Sequence, residues 1–177
     1  MNRNKSKLKK GGMDTIIAYI VVMLPLLYVL IYMVATIYHF SVQMYMNQVV
    51  KEATVMASTY GEITQKHVDY IHGKLKDVLG EENGKAKCTI NFYRREFVED
   101  GDNAGTVKGI ESYGTKIPEV SKADIIGIQV ISTEESILGS VTSFGIFNGD
   151  NGYSSDNALK YTAYREEIIR NDKKYTP

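Results

Sequence analysis

One uncharged stretch constrains this chain more than any other feature. Residues 16–38, IIAYIVVMLPLLYVLIYMVATIY, contain no charged side chain and little polarity apart from four tyrosines and Thr36. A helix of this length would reach roughly 35 Å, which exceeds the roughly 30 Å hydrocarbon core of a bilayer. A buried helix of a soluble protein normally has one polar face, whereas this segment is apolar all round. The stretch therefore predicts a transmembrane helix, placed at residues 13–40.

Pro25 lies inside this span. A proline in a soluble helix removes a backbone hydrogen bond and costs about 3 kcal/mol. In a bilayer the freed carbonyl group is satisfied by neighbouring helices or local adjustments, so the residue is better tolerated. Pro25 therefore predicts a kink in the helix and not its end.

The charges that precede the span predict its orientation. Residues 1–12, MNRNKSKLKKGG, carry five basic side chains and no acid, although the whole chain has a formal net charge of zero. Basic residues beside a span stay in the cytoplasm. We therefore expect a single-pass protein of the cell membrane, with residues 1–12 as a cytoplasmic leader and the C-terminal domain outside the cytoplasm.

Two other interpretations of the leader fit the sequence less well. A secretory signal peptide has an apolar region of about 7 to 15 residues that ends in a small-x-small site. The run here is longer, and residues 34–38, VATIY, lack such a site. A nucleic-acid patch is disfavoured because no aromatic residue is interleaved and the span follows directly. We expect the span to remain in the mature protein and no nucleic-acid partner.

A helical pattern continues beyond the span. Residues 40–79 contain no proline, and their apolar or small residues recur in steps of three or four. The pattern predicts an amphipathic extracytoplasmic helix over residues 41–80, with Gly80 in the place of a C-cap. Because its steps lack the regular alternation of a coiled coil, we expect it to pack against the following sheet and sister subunits.

A single helix over residues 14–79 would be about 100 Å long. Soluble helices average only about 10–14 residues. A break near residues 39–41 or at Gly61 is therefore the alternative to one continuous helix.

From about residue 86 the apolar residues alternate with polar ones, which predicts β-strands. Short connections between consecutive strands favour an antiparallel meander. We place a small antiparallel sheet domain at residues 85–170, followed by a tail at 171–177, which gives an α+β fold. The predicted strands cover residues 88–93, 106–113, 124–132, 141–147, with Gly145 as a bulge, and 159–165.

The histidines are badly spaced for a metal site. His67 and His72 are five residues apart, about 140° around a helix, whereas a helical metal pair needs a spacing of three or four. His39 is the only other histidine. We expect no metal site.

The acidic turns and the single cysteine also suggest no chemistry. Residues 99–105, EDGDNAG, partly resemble a calcium loop through Asp100 and Asp102, but the remaining ligands and the closing Glu are missing. Solvated turns are the simpler interpretation, and the same holds for Asp150 and Asp156. Cys88 cannot form an internal disulfide, and we expect a small buried strand residue, with an intermolecular link as the alternative.

Common catalytic motifs are missing from the sequence. It contains no G-x-S-x-G, P-loop or G-x-G-x-x-G motif. We expect no catalytic residue, no cofactor and no enzymatic activity.

Two segments carry a resemblance to a known family. They are KKGGMDTIIAYIVVMLPLL at residues 9–27 and YMNQVVKEATVMAS at residues 45–58, with weaker matches in DIIGIQVIST and YTAYREEI. The chain resembles the TadE-like minor pseudopilins of tight-adherence (Flp-type) pilus systems and a related uncharacterised family of Gram-positive anaerobes. The resemblance implies a pilin-like fold and a non-enzymatic subunit of a pilus or secretion apparatus. Its implied partners are other pilus or secretion subunits, an inner-membrane platform and further copies of itself.

The same resemblance implies processing by a prepilin peptidase between Gly12 and Met13. Such substrates usually carry Glu a few residues after the cut, but Ile17 occupies the fifth place here. Asp14, at the second place, is the nearby carboxylate and would lie at the helix N-terminus, where it could pair with a neighbour's amine. An ordinary N-cap is the alternative role for Asp14.

Another class of function fits the same layout. The chain could be a single-pass, membrane-anchored extracellular binding or adhesion module unrelated to pili. A sensor is disfavoured because a leader of residues 1–12 is too short for a signalling domain. A tethered hydrolase would need a pocket in which a nucleophile and a base are in contact.

Overall fold

The computed structural model describes residues 4–98, 106–121, 123–143 and 159–170. It confirms the α+β class, because a long apolar N-terminal helix leads into a small antiparallel sheet. The elements are α1 (Asn4–Tyr60), α2 (Gln65–Leu79), β1 (Glu81–Glu82), β2 (Lys85–Ala86), β3 (Cys88–Arg95), β4 (Glu111–Gly114), β5 (Ile125–Glu135), α3 (Ile137–Ser143) and β6 (Lys160–Ile168).

The helical region is divided at Gly61 and not near residues 39–41. Helix α1 has 57 residues and continues through Pro25. Gly61 follows it with a φ of 75°, a left-handed conformation that glycine adopts without strain. The prediction of one helix over residues 41–80 is therefore wrong, and the alternative break at Gly61 is correct.

Helix α2 runs back along α1. The Tyr70 hydroxyl donates to Glu52 at 2.5 Å, and the Tyr45 hydroxyl donates to the carbonyl of Lys74 at 3.3 Å, so later residues of α2 meet earlier residues of α1. The two helices form an antiparallel pair. Apolar or small residues recur in steps of three or four through both helices. This spacing predicts helix but does not indicate where the chain reverses.

The sheet has the order β4-β3-β5-β6, and every neighbouring pair is antiparallel. The strands predicted at residues 88–93, 124–132 and 159–165 are confirmed as β3, β5 and β6. The predicted meander is wrong, because β5 pairs with β3 instead of β4. The strand predicted at residues 106–113 is reduced to β4 and a single bridge between Phe97 and Val107.

Two other segments differ from the sequence prediction. Residues 141–143, predicted to open a strand, are the end of α3, which packs against α1; the rest of that predicted strand, with Gly145, lies outside the described residues. The loop after Gly80 contains the hairpin β1–β2. Asn83 and Gly84 form its turn with φ values of 53° and 80°, as a type I′ turn requires.

The core lies between the two helices and one face of the sheet. Helix α1 contacts β6, β5 and α3, and α2 contacts β2 and β3. Alternate residues of each central strand point into this core, which explains the period of two in the sequence. The largest fully buried apolar side chains are Phe92, Met46, Ile71, Leu75, Ile126, Ile128, Ile169, Val49, Val50 and Val130.

Candidate functional site

The first half of α1 stands clear of the folded domain. Every described side chain from residue 14 to residue 34 is exposed except that of Tyr28, which is half-exposed. Leu27, for example, is 53% exposed and Val29 is 55% exposed. Among the described residues, α1 is the one helix that is long and apolar enough to cross a membrane. Its exposed apolar surface, directed to all sides, is compatible with a single-pass membrane anchor.

Two hydroxyl groups near the end of this segment donate hydrogen bonds within the helix. Thr36 Oγ1 donates to the carbonyl of Tyr32 at 2.8 Å, and Ser41 Oγ donates to that of Ile37 at 2.9 Å. A polar group without a partner would be costly in hydrocarbon. The internal bonds of Thr36 and Ser41 therefore lower the cost of placing these two hydroxyls in apolar surroundings.

The second half of α1 is joined to the edge strand β6 by specific contacts. The Gln43 carboxamide donates to the carbonyl of Thr162 and accepts from its amide at 3.3 Å. Fifteen residues later on the same helix, Ser58 Oγ donates to the carbonyl of Ile168, and the carbonyl of Ser58 accepts from the amide of Arg170 at 3.1 Å. Unpaired edges promote unwanted strand pairing. The helix therefore both holds β6 and covers part of its open edge.

Helices α1 and α2 are linked by a hydroxyl–carboxylate pair. The hydrogen bond from Tyr70 lowers the pKa of Glu52, and the same bond raises the pKa of Tyr70 to about 12. The bond favours the ionised carboxylate and the neutral phenol, and both groups are in these forms at neutral pH.

The residues of the predicted processing site lie within α1. Gly12 and Asp14 are exposed, and no neighbouring atom lies within 4 Å of a Cβ built on Gly12. Helix α1 covers Asn4–Tyr60, so without cleavage Asp14 is an interior helix residue and not an N-terminal one. It becomes the second residue only if the bond between Gly12 and Met13 is cut. Cleavage at this bond stays a prediction.

The three histidines occupy three different environments. His67 is buried, and its Nδ1 accepts from the amide of Thr64 at 3.1 Å, which caps the start of α2. His39 stacks on Tyr161 with 4.9 Å between ring centroids. Among the described residues, no three His, Cys, Asp or Glu side chains are grouped closely enough to hold a metal ion. The acidic turn at residues 99–105, Asp150 and Asp156 lie outside the described residues.

Cys88 and His72 are neighbours beside an open cleft of about 520 Å³, with Sγ and Nδ1 3.8 Å apart. Burial raises the pKa of the Cys88 thiol to about 11 and lowers the pKa of His72. Both shifts favour neutral forms. A reactive cysteine needs the opposite shift, towards the thiolate. The geometry of the pair fits a half-buried strand residue packed against a histidine.

Sequence reasoning missed the buried carboxylate Asp124. It is 1% exposed and accepts from Arg94 Nε at 2.8 Å, from the amide of Phe97 at 3.1 Å and from the amide of Ser121 at 2.6 Å. Such a buried charge is tolerated because it is paired and hydrogen-bonded. It fastens the start of β5 to the end of β3. The only signal in the sequence is an acid directly before an apolar strand.

The sheet face opposite the helices carries a polar aromatic cluster. Tyr93 donates to Gln129 at 2.7 Å, and its ring meets that of Tyr164 edge to face at 5.7 Å. Tyr164 also donates to Glu166, which accepts from Arg95 at 3.0 Å. Gly127 lies beneath the two rings, where a Cβ would approach the Tyr164 hydroxyl to 2.9 Å. Burial raises the pKa of Tyr164 to about 12, and its bond to Glu166 adds to the shift.

Comparisons with protein-family models, with curated proteins and with solved structures found no match.

Proposed function

We propose that this protein is a non-enzymatic, single-pass membrane subunit of a pilus or secretion apparatus, similar to the TadE-like pseudopilins. The observation that carries the proposal is that one helix, α1, contains the exposed apolar segment and also packs on the sheet domain. No flexible linker separates the two. A subunit that is assembled by lateral contacts in the membrane benefits from this rigid connection, because moving the anchor moves the domain.

The outer side of α1 offers a surface for such contacts. Ile37, Phe40 and Met44 are spaced by three and four residues and are 65%, 61% and 72% exposed. Ile37 and Phe40 lie at the end of the span predicted at residues 13–40, and Met44 lies one helical turn beyond Phe40. An exposed apolar stripe of this kind suits a helix of a sister subunit or of another pilus component.

Charge supports the proposed orientation. The leader at residues 1–12 carries five basic residues, so it would remain in the cytoplasm, and the sheet domain would be exported. A cut between Gly12 and Met13 would remove this leader. Asp14 would then sit in the first turn of α1, where a carboxylate is favoured by the helix dipole.

A stripe variant tests the assembly role. Phe40→Ser combined with Met44→Gln changes two exposed side chains, so the domain should fold normally. We expect cross-linking to pilus or secretion subunits and to the inner-membrane platform to fall several-fold in the native host. Ile168→Thr, which changes an apolar residue that is 53% exposed on the sheet, is the matched control and should have no effect.

Genetic deletion provides a second test. Removing the secretion ATPase and the polytopic platform protein should change the abundance or localisation of this subunit. If neither changes and the stripe variant cross-links normally, the pilus role is wrong. The N-terminal residue of the mature protein separately tests processing, because cleavage predicts Met13.

The anchored binding or adhesion module is the second candidate, and the Tyr93–Tyr164 cluster is the feature that favours it. Tyr164 is 44% exposed on a sheet face that no described element covers. Under this alternative, Tyr164→Ala would abolish surface attachment in a strain without the pilus platform. Under the pilus proposal, the same change would leave platform cross-linking intact.

A further inference from the structure

The folded domain begins within the upper part of the span predicted at residues 13–40. Residues 16–34 would cover about 28 Å as a helix, close to the roughly 30 Å of a hydrocarbon core. The next residue, Ala35, is 4% exposed and is the first buried residue of α1 among those described from residue 14 onward. If residues 16–34 fill the hydrocarbon core, the domain follows without a stalk and lies at the membrane surface.

Helix α3 marks the end of the domain that is nearest the span. It contacts α1, and Ile137 at its start lines a cleft of about 150 Å³ together with Tyr38 and Tyr161. The Tyr161 ring stacks on His39 of α1. These contacts place Ile137 at the level of Tyr38, about one helical turn beyond residue 34.

Leu159 lies beside the start of α3. The amide of Ser136, directly before α3, donates to the carbonyl of Leu159 at 2.8 Å. A Cβ built on Gly139 would be 3.2 Å from the Leu159 side chain, so the two segments pack closely. Ile137 and Leu159 are therefore held together by local hydrogen bonds and packing.

The chemistry of this end suits a lipid surface. Tyr38 is 43% exposed, and Ile137 and Leu159 are each 46% exposed. Helix α3, with the sequence ILGSVTS, has no charged residue. Among the described residues at this end, Glu134 is paired with Lys87 at 2.6 Å.

We propose that Tyr38, Ile137 and Leu159, together called the membrane-facing end, rest in the headgroup region of the bilayer that α1 spans. The proposal depends on the membrane anchor of the proposed function. Apolar side chains at this depth gain burial, and tyrosine favours the membrane–water interface. Because the three side chains that make the contact are uncharged, the contact does not require anionic lipid.

Tryptophan fluorescence tests this contact directly, because the chain contains no tryptophan. Full-length Ile137→Trp and Leu159→Trp are reconstituted in phosphatidylcholine vesicles that contain lipid brominated near the carbonyl end of the acyl chain. Val29→Trp reports on the span. Val55→Trp, at a site 41% exposed and about 31 Å beyond residue 34 along α1, is the matched control outside the membrane.

We expect bromolipid to quench Trp at positions 137 and 159 several-fold more than Trp at position 55, with a blue-shifted emission. Added phosphatidylserine or salt should not change the quenching. If Trp at positions 137 and 159 is quenched as weakly as Trp at position 55 and is accessible to aqueous iodide, the proposed lipid contact is wrong. Strong quenching of Val29→Trp in the same experiment would still support the membrane anchor. If bromolipid also fails to quench Val29→Trp, α1 does not span the membrane, and the proposed lipid contact is excluded as well.

Discussion

The two halves of α1 have opposite surroundings although they belong to one uninterrupted helix. Over residues 16–34 large apolar side chains point to every side and are exposed. Over residues 42–58 the buried positions recur every three or four residues and face the sheet. The first half has no protein surface to bury against, so its apolar surface suits lipid, whereas the second half buries one face within the chain.

Residue size also differs between the halves. The last turns of the packed half bury small residues, among them Ala53, Ala57 and Ser58, all 2% exposed or less, whereas its earlier turns bury larger ones such as Met46. Small side chains allow a helix to approach a strand closely. The exposed half carries Leu, Ile, Val and Tyr on all sides. One helix thus buries one face within the chain along part of its length and leaves all faces exposed along the rest.

The largest expected effect comes from removing a core side chain of the packed region. Phe92 is 1% exposed, so Phe92→Ala should lower the free energy of unfolding of the domain by about 3–5 kcal/mol. Urea unfolding in detergent, followed by near-ultraviolet circular dichroism, measures the change. Leu27→Ala in the exposed half is the control and should leave the domain transition unchanged.

A charge in the exposed half is the next test. Leu27→Arg should disfavour membrane insertion by about 2.5–3.5 kcal/mol if this half lies in hydrocarbon. Alkaline extraction of membranes measures the fraction that remains inserted. Val55→Arg, in the half that packs on the domain, should stay in the membrane fraction. Equal retention of the two variants would contradict the assignment of the halves.

A smaller effect is expected at the contact between the packed half and β6. Gln43→Ala removes both hydrogen bonds to the backbone of Thr162 and should cost about 1 kcal/mol. Faster hydrogen exchange of the Thr162 amide would accompany the loss. Gln48→Ala, which removes only an exposed bond to Glu52 within α1, should leave this amide unchanged.

The smallest effect concerns the pH dependence of the α1–α2 contact. The lowered pKa of Glu52 stabilises the fold above about pH 4.5, and this contribution is lost as the pH falls through the folded pKa. The raised pKa of Tyr70 affects stability at alkaline pH. Its contribution is complete below about pH 10 and is lost as the pH rises towards about 12.

Tyr70→Phe removes both contributions and should flatten the stability profile at its acid and alkaline ends. The pKa of Glu52, followed by NMR titration, should rise towards its ordinary value. Tyr60→Phe, at an exposed position near the end of α1, is the control and should leave both properties unchanged.

Patterns within the sequence predicted most individual elements but not their arrangement. The alternation of Ile126, Ile128 and Val130 identified β5, and the change in period after Gly80 identified the start of the sheet. The pairing of β5 with β3 had no such signal, because register depends on residues far apart in the chain. Asp124 was missed for the same reason, since its partners Arg94 and Phe97 lie about 30 residues away.

Local context misled the prediction in two places. Val141 and its neighbours have strand-like composition, yet residues 141–143 end a helix because α3 packs against α1. The stripe after residue 40 was continuous, yet the chain reverses at Gly61. Tertiary contacts override intrinsic propensity because each propensity is worth less than about 1 kcal/mol per residue.

The sequence by itself determined the apolar run at residues 16–38, the α+β class and the inward-facing residues of the central strands. These follow from local spacing, since burying a helix or strand needs a fixed period. Long-range packing selected Gly61 from the two candidate breaks, and it also set which strands pair and placed the first buried residue of α1 at Ala35. A hydrophobic pattern specifies which surface must leave water, but only long-range packing selects the surface that covers it.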